Sequence, residues 1–575
     1  MTMKKLIAWA TTIHPMYFFI VIGFLVYANS LVNGFVADDS NQIINNTQIH
    51  SIWNIRSFFT QSTFYDEGTQ RLVGLYYKPI FTTFLSIIYT FFGSNSSAFH
   101  FFQVSIHIVN VCLLYVLLQR FLKRSTASVL SLIFLVHPIN SESVLYISAM
   151  QDVLFFAFGI AGLIIIQKTK TQRGFMLGIF FLLLSLLAKE TGILFVGISG
   201  LYVWLYKRKY MFAFICYVGI ISGIYFLLRT NALTANTTLA VDVPIMELSI
   251  GRRLLQIPAI VAFYLTTFIL PLNLAMSYHW IVKQIDLYHV VAPLTSLVVG
   301  IAVGLWFGIS LYIKHQSGYA TTYFFFFAWF LLGMLLHIQI IPLDYTVAER
   351  WFYFPIVGIL GMAGIVYETL FSYVKTKWIV AIIALTILLL SLRTFLRTYD
   401  WRNDYTLASH DRTVSPDSHS FEFMLGAYFY NKKEYQKART HIQNAVSIYP
   451  SASGYINLGL MNFVLKDYAS AKKAYLTSFE YNETDRAHMY LALLALYYGD
   501  PAKNIDFIKH ISLKKYPQKA DLWLSLAKLE YNFGNKKDAR ASIVKAYQYE
   551  SSQRVDSVYK AILNNEPVPI DLKRQ

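Results

Sequence analysis

Two adjacent carboxylates, Asp38 and Asp39, open a polar loop, Asn33-Gly34-Phe35-Val36-Ala37-Asp38-Asp39-Ser40, directly behind the first long apolar run of the chain. Paired acids at a membrane surface are costly unless they are solvated, paired or used. The use available to them is general-base chemistry: one carboxylate takes a proton from a substrate hydroxyl while the other orients it or binds a sugar or cation. The plain alternative is a solvated turn in which Asp39 or Ser40 caps a helix.

More ionisable groups interrupt later apolar runs. His137-Pro138 and Glu142 lie between two of them, Asp152 sits one turn into the next, Lys189-Glu190 breaks an apolar hairpin, and Glu349-Arg350 follows Pro342. Arg229 and Arg252-Arg253 add cations. Carboxylates mixed with several cations suit a substrate carrying both hydroxyls and phosphate. The Arg350 guanidinium would grip phosphate oxygens and stabilise charge developing on a phosphate leaving group. Each motif also has a structural reading: Glu349-Arg350 and Lys189-Glu190 as ion pairs, His137 as a helix-end cap. His100 and His107, seven residues apart, share one helix face without the spacing of a metal set. Cys112 and Cys216 both fall in apolar runs and read as small core hydrophobes, so no disulfide framework or thiolate metal site is available. There is no P-loop, Gly-rich dinucleotide turn, zinc-ligand spacing or nucleophile elbow.

The elements that must position these groups are set by composition. Of 575 residues, 56% are hydrophobic and 14% charged, with mean hydropathy +0.45, which excludes a water-soluble globule and a disordered chain. Spanning a bilayer takes roughly 20 apolar residues, and the runs near 16-33, 98-121, 125-138, 147-167, 174-188, 192-206, 210-228, 290-313, 320-341, 351-372 and 378-398 read as about eleven spans. Basic clusters then fall on one side: Lys4-Lys5, Lys123-Arg124, Lys168/Lys170/Arg173, Lys207-Arg208-Lys209, Lys314 and Lys375/Lys377. That regularity marks the cytoplasmic face. It absorbs much of the +17 net charge and removes a nucleic-acid partner. The runs 79-93 and 255-272 would flip every later cluster if either spanned alone, so they read as interfacial helices on the outer surface. The first run reads as an uncleaved span, although Val26-Tyr27-Ala28 loosely matches a signal cleavage site. Either way the outer loop 34-97 and its acidic pair lie outside.

After residue 400 charges become frequent and nothing can span, so 401-575 reads as a separate domain beside the membrane domain 1-400. Leu425-Gly426, Ala438, Ile442, Ala445 and Pro450 follow the tetratricopeptide pattern of about 34 residues. The register returns at Leu458-Gly459, Ala471 and Tyr475, at Leu491-Ala492, and at Trp523, Leu526-Ala527, Ala539, Ile543 and Ala546. About four repeats result, with 551-565 as a cap. Small residues at Gly426 and Ala438 let paired helices approach. Such arrays present a concave peptide-binding surface, and the topology places this one outside.

The ordered set of motifs resembles the transmembrane and tetratricopeptide-repeat-containing O-mannosyltransferases. The resemblance runs through Gly34-Phe35-Val36-Ala37-Asp38-Asp39 with Ile43-Ile44-Asn45-Asn46, Tyr77-Lys78-Pro79, Phe99-His100, His137-Pro138-Ile139 with Glu142 and Val144, Lys189-Glu190-Thr191, Pro271-Leu272 with Tyr278, and Glu349-Arg350-Trp351-Phe352-Tyr353-Phe354-Pro355. It implies a fold of the C-type glycosyltransferase superfamily: an all-α, multi-spanning helical body followed by an extracytoplasmic repeat solenoid. It also implies transfer of a hexose such as mannose from a polyprenyl-phosphate carrier to a Ser/Thr hydroxyl of an acceptor protein, with inversion. Asp38 and Asp39 would supply the catalytic carboxylate. Glu142 and Arg350 match positions lining the site, and with His137, Lys189, Glu190 and Glu349 they form the candidate donor phosphate and sugar set. No metal ligand is assigned and no cofactor beyond the lipid-linked donor is required by the sequence, a divalent metal being left open. The chain departs from the family pattern at Ala37, at Lys78 where arginine is usual, and at Gln151 in Met150-Gln151-Asp152.

Two other classes compete. A non-enzymatic membrane scaffold would use the repeats alone to recruit an outside partner. A transporter would carry inverted repeats and Gly/Pro-broken paired spans, which are not evident. Asn45, Asn95, Asn236 and Asn482 head Asn-x-Ser/Thr triplets on the outer side. The short repeat array favours a bacterial cytoplasmic membrane with the repeats outside, an endoplasmic reticulum membrane with lumenal repeats being the eukaryotic counterpart.

Overall fold

A computed structural model describes residues 14–66, 71–73, 76–233, 243–371 and 377–568. Lys4-Lys5, Lys375 and Asn236 lie outside them. The chain divides into two compact units, Met1–Pro416 and Asp417–Gln575.

The first unit is helical throughout, apart from a small antiparallel ribbon in the outer loop that pairs Phe64–Asp66 with Arg71–Val73. Every one of the eleven expected runs contains helix. Among the described residues six helices are long and apolar enough to cross a membrane: Ser96–Leu118, Ile147–Lys168, Arg208–Ala232, Leu287–Ile313, Ser317–Leu335 and Lys377–Asp400. A bent pair, Arg124–Val136 with Pro138–Leu145, makes a seventh if it is one span, and the remaining apolar helices are shorter. Pro79–Phe92 and Ile257–Ile269 have 14 and 13 residues, too few to cross upright.

The bend at Pro138 builds one wall of the candidate site. Proline disfavours helix in the residue before it, and His137 is extended (φ −72°, ψ 123°). The chain then runs through two short turns before the Met150–Lys168 helix begins. Irregular backbone inside an apolar body must be satisfied by side chains. Gln103 Nε2 does this by donating to the carbonyls of Ser143 and Tyr146, both at 2.7 Å, and Asn140 Nδ2 donates to the Phe134 carbonyl at 2.8 Å. His100, Gln103, His107 and Asn110 form one buried stripe of the Ser96–Leu118 helix. His107 serves the core: Nδ1 bonds the Tyr353 hydroxyl (2.7 Å) and Nε2 bonds the Leu135 carbonyl (3.1 Å).

The last long helix closes the unit. Arg397, completely buried, meets Asp411 through two nitrogens at 2.6 and 3.0 Å, and Asp411 Oδ2 also accepts from the Met276 backbone at 2.7 Å. A buried ion pair held by two hydrogen bonds makes a strong local constraint. This clamp draws the Asp404–Val414 helix into the first unit, which is why the boundary falls at Pro416 rather than at 400.

The second unit is a run of helix hairpins: His419–Asn431 with Tyr435–Ile448, Ala452–Val464 with Tyr468–Tyr481, Asp485–Leu494 followed by Pro501–Phe507, and Ala520–Phe533 with Lys536–Tyr549, ended by Gln553–Leu563. Close approach depends on glycine here. A Cβ at Gly426 would stand 2.5 Å from Ile442, and one at Gly459 would stand 2.3 Å from Tyr475.

Candidate active site

The two acids point to different surroundings. Ala37 adopts φ +50°, a left-handed conformation that is uncommon for a residue with a Cβ, and its N–H is held by Asp404 Oδ1 at 2.8 Å. The preceding Gly34 N–H is held by the Arg402 carbonyl at 3.0 Å. Beyond this turn Asp39 is completely buried. Its Oδ1 accepts from the Ser148 backbone (2.7 Å) and hydroxyl (2.6 Å), and its Oδ2 accepts from the Val36 backbone (3.2 Å). Burial pushes its pKa up to about 7, against the pull of those hydrogen bonds. Asp39 therefore ties the outer loop to the broken segment after Pro138.

Asp38, in contrast, is open to solvent at its surface. Its N–H donates to the Tyr146 hydroxyl at 3.3 Å. Desolvation by the surrounding protein raises its pKa, Tyr146 and the nearby cations Arg350 and Lys78 lower it, and Asp344 raises it. A carboxylate of raised pKa beside solvent has the properties of a general base.

Arg350 and Lys78 share its electrostatic surroundings, and Lys189 acts on Lys78 in turn. Arg350 is gripped twice by Glu142, whose Oε2 accepts from the Arg350 backbone at 2.9 Å while Oε1 accepts from the guanidinium. The guanidinium lies over Tyr345 (5.2 Å) and Trp351 (6.0 Å). Among the described residues, its Nε and Nη2 have no hydrogen-bond partner, so a fixed fork is left for an anion. Lys189 donates to Asp152 at 2.5 Å, both side chains being largely buried, and Asp152 Oδ2 has no partner. Lys78 is buried with its ammonium over the Tyr76 ring (4.2 Å). Burial lowers its pKa to about 8; Glu190 opposes this and Lys189 adds to it. Asp344 is felt by Asp38, Lys78 and Arg350 alike.

The other expected members are committed to the framework. Glu190 Oε1 accepts from the Tyr77 backbone and from Arg229, each at 3.4 Å. Glu349 does not pair with Arg350: its Oε1 accepts from the Ala275 backbone (2.7 Å) and the Tyr278 hydroxyl (3.1 Å), and burial raises its pKa well above the ordinary range. It fastens the loop that Asp411 also holds through Met276. His137 caps its bend, with Nδ1 accepting from the Ile139 backbone (3.2 Å) and Nε2 bonded to the Phe268 carbonyl (2.9 Å). The sequence reading missed Tyr146, Asp344 and Tyr345. Asp344-Tyr345 stands between Pro342 and Glu349, inside the stretch already singled out, and was the signal available. Among the described residues no group of three or more His, Cys, Asp or Glu side chains could hold a metal ion.

Fold and site together define a multi-pass helical membrane protein with an acid and a set of restrained cations at one end of its body, followed by helix hairpins. Its relatives are named protein O-mannosyl-transferases. The human protein O-mannosyl-transferase TMTC3 is 22% identical over 490 residues, covering 78% of this chain and 53% of the relative. The Caenorhabditis elegans protein O-mannosyl-transferase F38B6.6 is 23% identical over 451 residues, covering 75% and 62%. A segment of 197 residues, 31% of this chain and 22% of the relative, is 32% identical to human protein O-mannosyl-transferase TMTC1. These similarities bear out the family resemblance carried by the motifs. The chain spans little more than half the length of the TMTC3 relatives it matches. No protein-family profile matches it.

Proposed function

We propose that this protein is a membrane glycosyltransferase that moves a hexose such as mannose from a polyprenyl-phosphate carrier to a Ser/Thr hydroxyl of an acceptor protein, inverting the anomeric carbon. The observation that carries the reading is the division of the acidic pair, with Asp38 open beside Arg350 while Asp39 is locked to Ser148. Asp38 takes the proton of the acceptor hydroxyl as its oxygen attacks the anomeric carbon. The bond from that carbon to the phosphate oxygen breaks on the opposite face, and the polyprenyl phosphate leaves with the electron pair. Arg350 and Lys78 meet the charge growing on that phosphate, Glu142 keeps the Arg350 fork aimed, and Lys189, paired with Asp152, adds positive field. Asp39 is a positioning residue.

In this reading the eleven helical runs are the spans of a C-type glycosyltransferase body, the acidic loop faces outward, and the second unit is a tetratricopeptide array that holds the acceptor segment. A recess of about 280 Å³ in that unit, lined among others by Arg486, Tyr490, Asp521, Lys528 and Arg554, supports a peptide-holding role. The membrane is the bacterial cytoplasmic one or the endoplasmic reticulum. The test is transfer by the purified full chain from polyprenyl-phosphate mannose to Ser/Thr peptides, with the product linkage read by NMR. Transfer that survives Asp38→Asn unchanged, or a product that retains configuration, overturns the reading.

A further inference from the structure

A second recess, of about 740 Å³, lies at the other end of the body. The Ser96–Leu118 helix measures the separation. Its start is tied to the acidic loop, Ser96 donating to the Asn33 carbonyl at 2.9 Å, and Arg120 follows its last turn at the mouth of the recess. At 1.5 Å per residue, 23 residues put the two about 34 Å apart, the thickness of a bilayer's apolar core with its margins. This recess is therefore distinct from the site around Asp38.

Its lining is chemically one-sided. Arg120, Lys207 and His315 supply basic groups, and among the described residues no Asp or Glu lines it. Lys207 donates to the carbonyls of Ile166 (2.7 Å) and Thr169 (2.5 Å), which fixes its ammonium and leaves one N–H. Lys207 also feels Arg120, Lys209 and Lys170, like charges that lower its pKa after desolvation. Arg120 hydrogen-bonds the buried Tyr202 hydroxyl. Ser317 and Gly318 bring in the N-terminus of the Ser317–Leu335 helix, whose free N–H groups favour an anion. Depth is marked by exposed aromatic residues on the same helix ends, Trp204 (48%) and Tyr312 (68%), which is where such rings meet headgroups.

We infer that this recess holds the phosphodiester headgroup of an anionic membrane phospholipid, contacted by Arg120, Lys207 and the N-terminus of the Ser317–Leu335 helix. A basic pocket between spans at headgroup depth is the arrangement that selects anionic lipid, and its volume exceeds what a bare phosphate would fill.

The test is native mass spectrometry of the full chain in detergent with added phosphatidylglycerol, phosphatidylcholine or inorganic phosphate. Phosphatidylglycerol should be retained in preference to phosphatidylcholine, and inorganic phosphate should not displace it. Arg120→Gln should weaken retention about fivefold, the effect of one basic residue near a membrane surface. Ser317→Glu should do at least as much while keeping the fold, because an acid in the first turn suits the helix dipole. Asp38→Asn, whatever it does to turnover, should leave phosphatidylglycerol retention as it is in the wild type, which separates this recess from the donor site. Equal retention of both lipids, or unchanged phosphatidylglycerol preference in both recess variants, overturns the inference. Displacement by inorganic phosphate at comparable concentration assigns the recess to a soluble anion and overturns it too.

Discussion

Asp38→Asn and Asp39→Asn should fail in opposite ways, and the size of the difference follows from burial. Asp39 has a folded pKa of about 7, well above the ordinary aspartate value of about 3.9, a difference worth about 4 kcal/mol. Because the folded value is the higher one, folding disfavours the ionised form. The associated stability is fully present below about pH 4 and is lost as the pH rises through 7. Between pH 7 and pH 5 the single-site linkage relation returns about 2 kcal/mol of it. Unfolding of the full chain titrated with denaturing detergent at both pH values should show this gain in the wild type. Asp39→Asn, which cannot ionise, should remove it, so the difference between the two proteins isolates the residue. Asp38→Asn should stay within about 0.5 kcal/mol of wild type, as surface substitutions do, while turnover falls by 10² to 10⁴, roughly the range for a lost general base. A difference curve flat in pH would refute the Asp39 argument, because the three donors around its carboxylate would then outweigh desolvation. Undiminished turnover in Asp38→Asn would refute the assignment of the base.

Arg350→Lys should raise KM for the lipid-linked donor about tenfold, roughly 1.4 kcal/mol, because an ammonium held by Glu142 Oε1 has no fixed second fork to offer; donor-saturation kinetics check this. Lys78 loses its charge above about pH 8, so donor KM should rise between pH 7 and pH 9, and the rise should disappear in Lys78→Gln. Asp411→Asn leaves the buried Arg397 with Asp400 as its remaining ion-pair partner and should cost up to about 3–5 kcal/mol, read as loss of folded protein on size-exclusion in detergent. The double exchange Glu349→Arg with Arg350→Glu keeps composition and net charge. It should nevertheless prevent accumulation, since it sets one cation against the Ala275 N–H and one acid against Glu142.

That exchange touches what could and could not be read from the sequence. Periodicity and order were legible: the apolar runs became helices, Gly426 and Gly459 let hairpin partners close, and the acidic loop, the break at Pro138 and Arg350 came together. Pairing was not legible, because neighbours in sequence are poor partners in space. Successive residues of a helix or tight turn project about 100–120° apart and do not face each other. Lys189 finds Asp152, 37 residues earlier, rather than forming a pair with Glu190. Arg350 finds Glu142, 208 residues earlier, while Glu349 turns to Tyr278. Asp39 finds Ser148, and the positive φ at Ala37 sends Asp38 elsewhere. The clamp that joins Arg397 in an apolar helix to Asp411 in a charged one was illegible for the same reason.

Each of these three dyads divides its labour. Asp39, Glu349 and Glu190 bond to backbone N–H groups of other segments and hold the outer loops in place. Asp38 and Arg350 are carried by the same turns into a shared electrostatic environment with Lys78, on which Lys189 also acts. A carboxylate anchored to a distant segment fixes the backbone of the residue beside it, so the presented member needs few contacts of its own. That arrangement reconciles stability with reactivity: the anchored acids hold the loops, while Arg350 Nε and Nη2 and the solvent-facing Asp38 carboxylate keep hydrogen-bonding capacity for a substrate.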